Sequence, residues 1–325
     1  MTESEAVFDG LYGEASRVLV GHRDVVEGMT IALLADGHVL LEGVPGVAKT
    51  TIANLFARTL GLEFTRIQMT PDLLPADIVG TSVYRQETGE FDIRRGPVFS
   101  NIVLADEINR ATAQTQSAML EAMQERHVTI EGETLPLPDP FILIATQNPL
   151  DTQGTFELPV AQRDRFQLKL DVEVPGVDTG MEILDRFDES PTLDVTDVER
   201  AVSMDSLRRA REEARSAYVD PKVKRFIQTI IDETWADDRL EYGASPRASI
   251  QLLNTVKAYA TLQGREYVIP GDVVEFGTPV LGHRLSPSPD ARLEGLEARD
   301  VIALLLEELD PPEVTPDATG SGASD

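Results

Sequence analysis

Val39-Leu-Leu-Glu-Gly43-Val-Pro-Gly46-Val-Ala-Lys49-Thr50-Thr51 decides the fold. An apolar run leads into a loop of small residues, and a helical stretch, Thr51–Leu60, follows Lys49-Thr50. Strand, glycine loop, Lys-Thr and helix form the context that a phosphate-binding loop requires. Small residues let successive backbone N–H groups close around a β-phosphate, and the helix N-terminus adds partial positive charge. Lys49 is expected to reach the β- and γ-phosphates and the Thr50 hydroxyl to ligate Mg²⁺. Gly43, Val44, Pro45, Gly46, Val47, Ala48, Lys49, Thr50 and Thr51 are the expected nucleotide-binding residues, with ATP and Mg²⁺ as ligands. Composition agrees. No other lysine precedes Lys169, and the remaining ones are Lys222, Lys224 and Lys257; every other fixed positive charge is arginine.

Outward from this loop, apolar strands alternate with helices between His38 and about Leu170, which predicts an open, largely parallel α/β sheet. The expected strands are Val39–Leu41, Phe64–Ile67, Ile102–Ala105, Phe141–Ala145 and Phe166–Leu170, with a helix over Ala113–Gln124. Two stretches alternate around glycine and read as hairpins: Val83–Ile93, turning at Thr88-Gly89, and Val128–Leu137, turning at Gly132. Before this core, residues 1–36 read as a helical segment, with Val25, Val26, Met29, Ala32 and Leu33 at helical spacing. Pro175-Gly176 marks a boundary. Beyond it the chain reads as helices only: Thr179–Phe187, Ser206–Ala217, Pro221–Ile231, Pro246–Leu262, Pro270–Leu281 and Glu294–Glu308. The expected organisation is therefore residues 1–36, an α/β nucleotide-binding core over 37–175, a small all-α lid over 176–310, and a disordered tail over 311–325.

Ile102-Val-Leu-Ala-Asp106-Glu107 is a strand ending in two acids. Asp106 is placed to hold Mg²⁺, and Glu107 to polarise the attacking water. An Asp-Glu pair also occurs at ordinary helix starts, so its weight comes from following a phosphate loop and an apolar strand. The next strand ends in Thr146-Gln-Asn148-Pro149, where Asn148 would sit between the two loops and orient that water. A plain Asn-Pro turn is the competing reading.

Taken together, Gly43–Thr50, Asn101–Ala111, Phe141–Pro149 and Gly243-Ala-Ser-Pro-Arg247-Ala resemble the MoxR family of AAA+ ATPases, over about Val20 to Leu309. That resemblance implies an AAA+ core with an insert in its second helix at Val83–Ile93, a hairpin before the sensor strand at Val128–Leu137, and a helical lid. Asp164-Arg165-Phe166 matches the arginine-finger segment, so Arg165 would stabilise charge at a neighbour's γ-phosphate; Arg163 in the same segment is the alternative. Arg247 matches the lid's sensor arginine, acting in its own or a neighbouring subunit. Ser245-Pro246 reads as N-cap and first turn, where an arginine opposes the helix dipole and a bound phosphate would account for it. Two departures stand out: Ala48 replaces the usual glycine before the lysine, and Val160 replaces an acid before the finger. The resemblance further implies a homo-oligomeric ring, a hexamer, that hydrolyses ATP to ADP and phosphate and remodels protein clients, including partners with von Willebrand factor A domains. A DNA translocase or helicase, a magnesium-chelatase-like motor subunit and a nucleotide-dependent scaffold are the alternatives.

The 325-residue chain has room for two domains, and its 42% hydrophobic content fits a folded core. With no cysteine, disulfides and thiolate metal sites are excluded. The four histidines are scattered and read as satisfied or solvent-facing. No apolar stretch approaches the ~18 residues of a membrane span, and the acidic start is unlike a signal peptide; the expectation is a cytoplasmic protein without membrane insertion. The net charge of −27 is spread along the whole chain. It predicts a halophilic protein whose self-repulsion is screened by salt, rather than an acidic face for a basic partner, and nucleic acid is not an expected partner. The melting temperature should rise between dilute buffer and molar KCl; a flat or falling profile in a thermal scan would contradict the salt reading.

Overall fold

The computed structural model describes residues 1–87, 89–150, 155–156, 158–192 and 194–314. Two helices, α1 (Glu3–Ala15) and α2 (Arg23–Leu34), precede β1 (Val39–Glu42) and α3 (Lys49–Leu60). Then come β2 (Phe64–Gln68), α4 (Pro75–Val79), the hairpin β3 (Gly80–Arg85) and β4 (Glu90–Arg95), β5 (Ile102–Asp106) and α5 (Ala113–Glu125). A second hairpin, β6 (His127–Ile130) and β7 (Glu133–Pro136), leads to β8 (Ile142–Gln147), α6 (Val160–Arg163) and β9 (Leu168–Asp171). The remainder is α7 (Val177–Glu189), α8 (Met204–Ser216), α9 (Pro221–Ala236), β10 (Leu240–Tyr242), α10 (Pro246–Leu262), α11 (Pro270–Leu281), β11 (Ser286–Pro287), α12 (Pro289–Leu293) and α13 (Ala298–Glu308).

The five-stranded sheet runs β2-β5-β8-β1-β9, all parallel. Parallel strands need both faces covered, and the period of two divides them between two cores. Val39, Leu41, Ile102, Leu104, Ile142 and Ile144 pack with α1, α2, α3 and the later helices. Leu40, Val103, Ala105, Leu143 and Ala145 pack with Met119, Leu120 and Met123 of α5. His38 sits at the amino-terminal edge, buried, taking the Leu143 N–H on Nδ1 at 2.9 Å with Nε2 3.2 Å from the Met123 carbonyl. Burial holds it neutral, its pKa well below the ordinary value. His283 differs from the satisfied histidine expected: its Nε2 meets the Phe166 carbonyl, while its buried Nδ1 has no partner among the described residues.

Each sheet strand ends one residue beyond its expected limit, and β8 two, because each terminal residue is polar and the apolar runs stop before it: Glu42, Gln68, Asp106, Gln147 and Asp171. Other boundaries moved for local reasons. The initial segment is two helices, broken where Gly21 and His22 take positive φ. The expected helix Glu294–Glu308 starts only at Ala298, because Gly295 adopts φ 83°. The helices after Gly176 are supplemented by the short antiparallel pair β10–β11. Pro311–Val314, read as the start of a tail, is tied down: Lys222 donates to the Glu313 carbonyl at 3.0 Å and Val314 packs on the core. Residues 315–325 of that expected tail, and Thr88 of the first hairpin's turn, lie outside the described residues. No helix among the described residues is long and apolar enough to cross a membrane.

Lid and core are joined through Arg284, only 2% exposed. It pairs with Asp164 (Nε to Oδ1, 3.1 Å) and donates to the Phe166 and Gln167 carbonyls and to Gln251 Oε1. Burial lowers its pKa to about 10, against the opposing pull of Asp164. Removing one member of such a pair strands a buried charge. Asp164→Ala should therefore cost about 3 kcal/mol in urea unfolding; a loss within error of zero would show that the lid is held some other way.

Candidate nucleotide site

The phosphate loop leaves β1 at Glu42 and enters α3 at Lys49. Gly43 cannot carry a side chain, since a Cβ there would stand 2.5 Å from the Val172 carbonyl oxygen. Gly46 adopts φ 88°, which glycine takes without steric cost. Ala48 is also left-handed, φ 64° and ψ 17°, and there the missing glycine has a price of roughly 1 kcal/mol in Cβ strain. Lys49 Nζ donates to the carbonyls of Gly43 (2.5 Å) and Val44 (2.9 Å), a folded-back position within the loop. Burial lowers its pKa, opposed by the charges of Asp106 and Glu107.

Strand order brings the other candidates to the same edge. β8 lies between β1 and β5, so the ends carrying Lys49, Asn148 and Asp106 are consecutive across the sheet. Asp106, 7% exposed, takes a hydrogen bond from the Thr50 hydroxyl on Oδ2 at 3.4 Å. Hard oxygen donors from both residues thus converge, the donor set that Mg²⁺ accepts, and the residues fit that ion. Glu107 holds φ 57° and ψ 55°, an uncommon conformation for a residue with a side chain. Its carboxylate accepts from Gln68 Nε2 (2.9 Å) and Arg110 (3.0 Å). Asn148 accepts the Leu150 N–H at 3.1 Å, the local bond of an Asx-type turn, so the turn reading describes its oxygen as found.

Three residues at this edge were not singled out from sequence. Arg66 pairs with Asp106 at 2.6 Å, and Gln68, two residues on along β2, reaches Glu107. Period-two placement of polar residues next to a predicted strand end was the available signal. The third is Thr146. Its buried hydroxyl donates to Asp106 Oδ1 at 2.6 Å and accepts the Glu107 N–H at 2.8 Å, locking both acids from the neighbouring strand.

Arg165 and Arg247 are not at this edge. Both line a cavity of about 450 Å³ with Asp36, His38 and Arg126, at the amino-terminal end of β1. Neither has an ion-pair partner among the described residues; Asp164, which was the competing partner for Arg165, is held by Arg284 and by the Ser245 hydroxyl at 3.1 Å. Arg163 lines a separate cavity beside α2 and α11.

Residues 38–168 match the model of the ATPase family associated with various cellular activities (AAA), and residues 232–304 match the AAA lid domain. Chaperone MoxR1 of Mycobacterium tuberculosis is 44% identical over 310 residues, covering 93% of this chain and 81% of the relative. The chain belongs to the MoxR family of AAA+ ATPases. This MoxR-family chain is also 41% identical to the uncharacterized protein YeaC of Bacillus subtilis, over 91% of this chain and 92% of that one. A crystal structure from Cytophaga hutchinsonii superposes with a TM-score of 0.86 at 37% identity, covering 96% of this chain and 97% of that one. Nucleotide binding and the AAA+ fold with its lid follow from the family.

Thr146→Val would leave a buried carboxylate and a backbone N–H each short of a partner, so a loss of about 2 kcal/mol is expected. Thr146→Ser, which keeps the hydroxyl, should recover most of it in the same denaturant titration. Equal losses in both variants would assign the effect to packing instead.

Proposed function

We propose that this chain hydrolyses ATP to ADP and phosphate as a homo-oligomeric ring, a hexamer, and uses the cycle to remodel protein clients. The observation that carries this reading is the separation of charges: Arg165 and Arg247 share a cavity at the sheet edge opposite Lys49 and have no ion-pair partner among the described residues, in a chain of net charge −27. Two such arginines lining one cavity suit an anion, and their own subunit's phosphate loop lies across the sheet. A head-to-tail neighbour would bring them to it.

In this reading Gly43–Thr51 hold the phosphates, with Lys49 swinging from the Gly43 and Val44 carbonyls onto the β- and γ-oxygens. Thr50 and Asp106 would hold Mg²⁺, which when bound neutralises phosphate charge. Glu107, released from Gln68 and Arg110, takes a proton from the attacking water, and Asn148 Nδ2 orients it. Water oxygen bonds to the γ-phosphorus as the bond to the β-bridging oxygen breaks, and ADP leaves with that electron pair. Arg165, with Arg247, offsets the charge spread over the transferred group. Client binding is supported by the chaperone name of the Mycobacterium relative and by the exposed β3–β4 hairpin, whose Tyr84 and Phe91 rings lie 5.1 Å apart. Clients with von Willebrand factor A domains belong to the same proposal, as does a cytoplasmic, salt-adapted setting.

Lys49→Ala and Glu107→Gln should each abolish phosphate release, with Glu107→Gln still binding ATP. Arg165→Ala should lose on the order of 10³-fold in turnover. Mixed one to one, Lys49→Ala and Arg165→Ala subunits should regain about a quarter of wild-type turnover, since intact loops meet intact fingers at one interface in four. No recovery in the mixture would refute action across subunits.

A further inference from the structure

Helix α7 (Val177–Glu189) has no buried residue, although its sequence is amphipathic. Val177, Met181 and Leu184 are 84%, 52% and 63% exposed, and Phe187 beside them is 68% exposed. The helix is nevertheless attached. Arg186 donates to the Ser16 carbonyl at 2.6 Å and to the Leu19 carbonyl at 3.3 Å. Thr179 Cγ2 lies 3.1 Å from where a Cβ on Gly21 would stand. At 3.6 residues per turn, Thr179 and Arg186 lie roughly 180° around the helix from Val177, Met181 and Leu184. The face that holds α7 to the molecule carries Thr179 and Arg186 with Ile183, 39% exposed, beside them, and the Val177–Met181–Leu184 stripe points away. Asp178, Asp185 and Glu189 flank that stripe and Asp188 continues it toward the carboxyl end, all four without ion-pair partners among the described residues; Glu182 is paired with Arg186 at 3.1 Å.

A second patch has the complementary character. Near the end of α9, Trp235 donates its indole N–H to the Ala244 carbonyl, two residues before α10, at 2.8 Å and stays largely exposed, as does Tyr242. Ile250, 60% exposed, lies one turn along from Arg247 on the same helix face. This patch carries Arg247, which has no ion-pair partner among the described residues, whereas the α7 stripe is bordered by acids that have none there either. Position fits as well. Val172, which leaves β9, donates its N–H to the Glu42 carbonyl at 2.6 Å beside the phosphate loop, and α7 begins five residues later, within about 17 Å of extended chain. A neighbour that delivers Arg165 and Arg247 to the loop brings its α10 face to α7.

We infer that the Val177–Met181–Leu184 stripe of α7 is a docking surface for a second copy of this chain, its occupant the Tyr242–Ile250 face at the start of the neighbour's α10. The inference rests on the ring reading and adds which surfaces make the contact. Two different patches of one molecule form a head-to-tail interface, which propagates into a ring or filament instead of stopping at a dimer. Covering an exposed apolar stripe supplies the driving force, and opposite flanking charges set its polarity.

The test is surface complementation read by sedimentation velocity, with Mg²⁺ and a non-hydrolysable ATP analogue. Met181→Glu/Leu184→Glu should sediment as a monomer, as should Tyr242→Glu/Ile250→Glu. Because each retains one intact surface, their equimolar mixture should form a dimer and nothing larger. All four side chains are exposed, so the melting temperature and the affinity for a fluorescent ADP should stay within twofold of wild type; the milder Met181→Gln/Leu184→Gln pair should weaken assembly in the same direction. A mixture that stays monomeric overturns the pairing. Wild-type oligomers in either variant alone overturn it too, and if trans-complementation persists there, the ring reading survives. Retained oligomers with loss of a bound protein would assign the stripe to a client, against the inference. Wild-type chain that stays monomeric with nucleotide sinks the ring reading itself.

Discussion

Arg284 is the constraint on which the arrangement of the molecule turns. Taking a guanidinium out of water costs several kcal/mol unless its donors are met, and the partners here are chosen from one short stretch: Asp164, Phe166 and Gln167. These residues flank Arg165 on both sides. The lid is therefore fixed to the segment that precedes β9, and the same contacts remove Asp164 as a partner for the arginine beside it. Ser245, at the start of α10, hydrogen-bonds the same carboxylate, so Arg247 is positioned through the identical clamp. One buried cation thus leaves two others facing the same cavity without an ion-pair partner among the described residues.

The opposite edge of the sheet follows a different rule. Every parallel strand ends in a carboxylate or an amide: Glu42, Gln68, Asp106, Gln147 and Asp171. Within the sheet, side chains such as Leu104 and Ile144 need burial and nothing more; at the carboxyl edge, polar groups meet one another. Thr146 and Arg66 show how tightly. Between them they occupy both oxygens of Asp106, and Thr146 also pins the strained backbone of Glu107. The acids are held by a network in place of bulk water, which strengthens each bond and raises the cost of losing any one.

Much of this was legible in the chain itself. The glycine loop, the acid pair and the apolar periodicity predicted a parallel α/β core followed by helices and put Lys49, Thr50, Asp106 and Glu107 at one edge, because local patterns dictate strand ends and helix starts; the AAA+ assignment came from the family resemblance. Arg66, Gln68 and Thr146 were not legible, since their importance arises from neighbours 40 or 39 residues away. Ala48 was visible as an exception but not as a strained one; only its φ of 64° shows that the replaced glycine had a conformational reason. The exposed stripe of α7 escaped for the opposite reason. Its period of 3.6 looked like that of a core helix, and nothing in a sequence tells an apolar face that is buried from one that is waiting for a neighbour.

The two edges also decide what kind of assembly the site can use. Lys49 and Thr50 follow β1, while Arg165 precedes β9, which runs parallel to it. In a parallel sheet these positions are separated by the length of the strands, and no side-chain rearrangement within one subunit closes that gap. A two-fold dimer pairs identical patches, so it would have to bring each loop to the other's arginine across a single axis. A head-to-tail contact needs only that one surface fit a different one, and it leaves every subunit with both a donating and a receiving face. Opposite placement of loop and arginines on a rigid sheet therefore favours rotation-related copies over a two-fold pair. The charge pattern would favour the same arrangement, with acids on α7 and, on another face, Arg165 and Arg247 without ion-pair partners among the described residues.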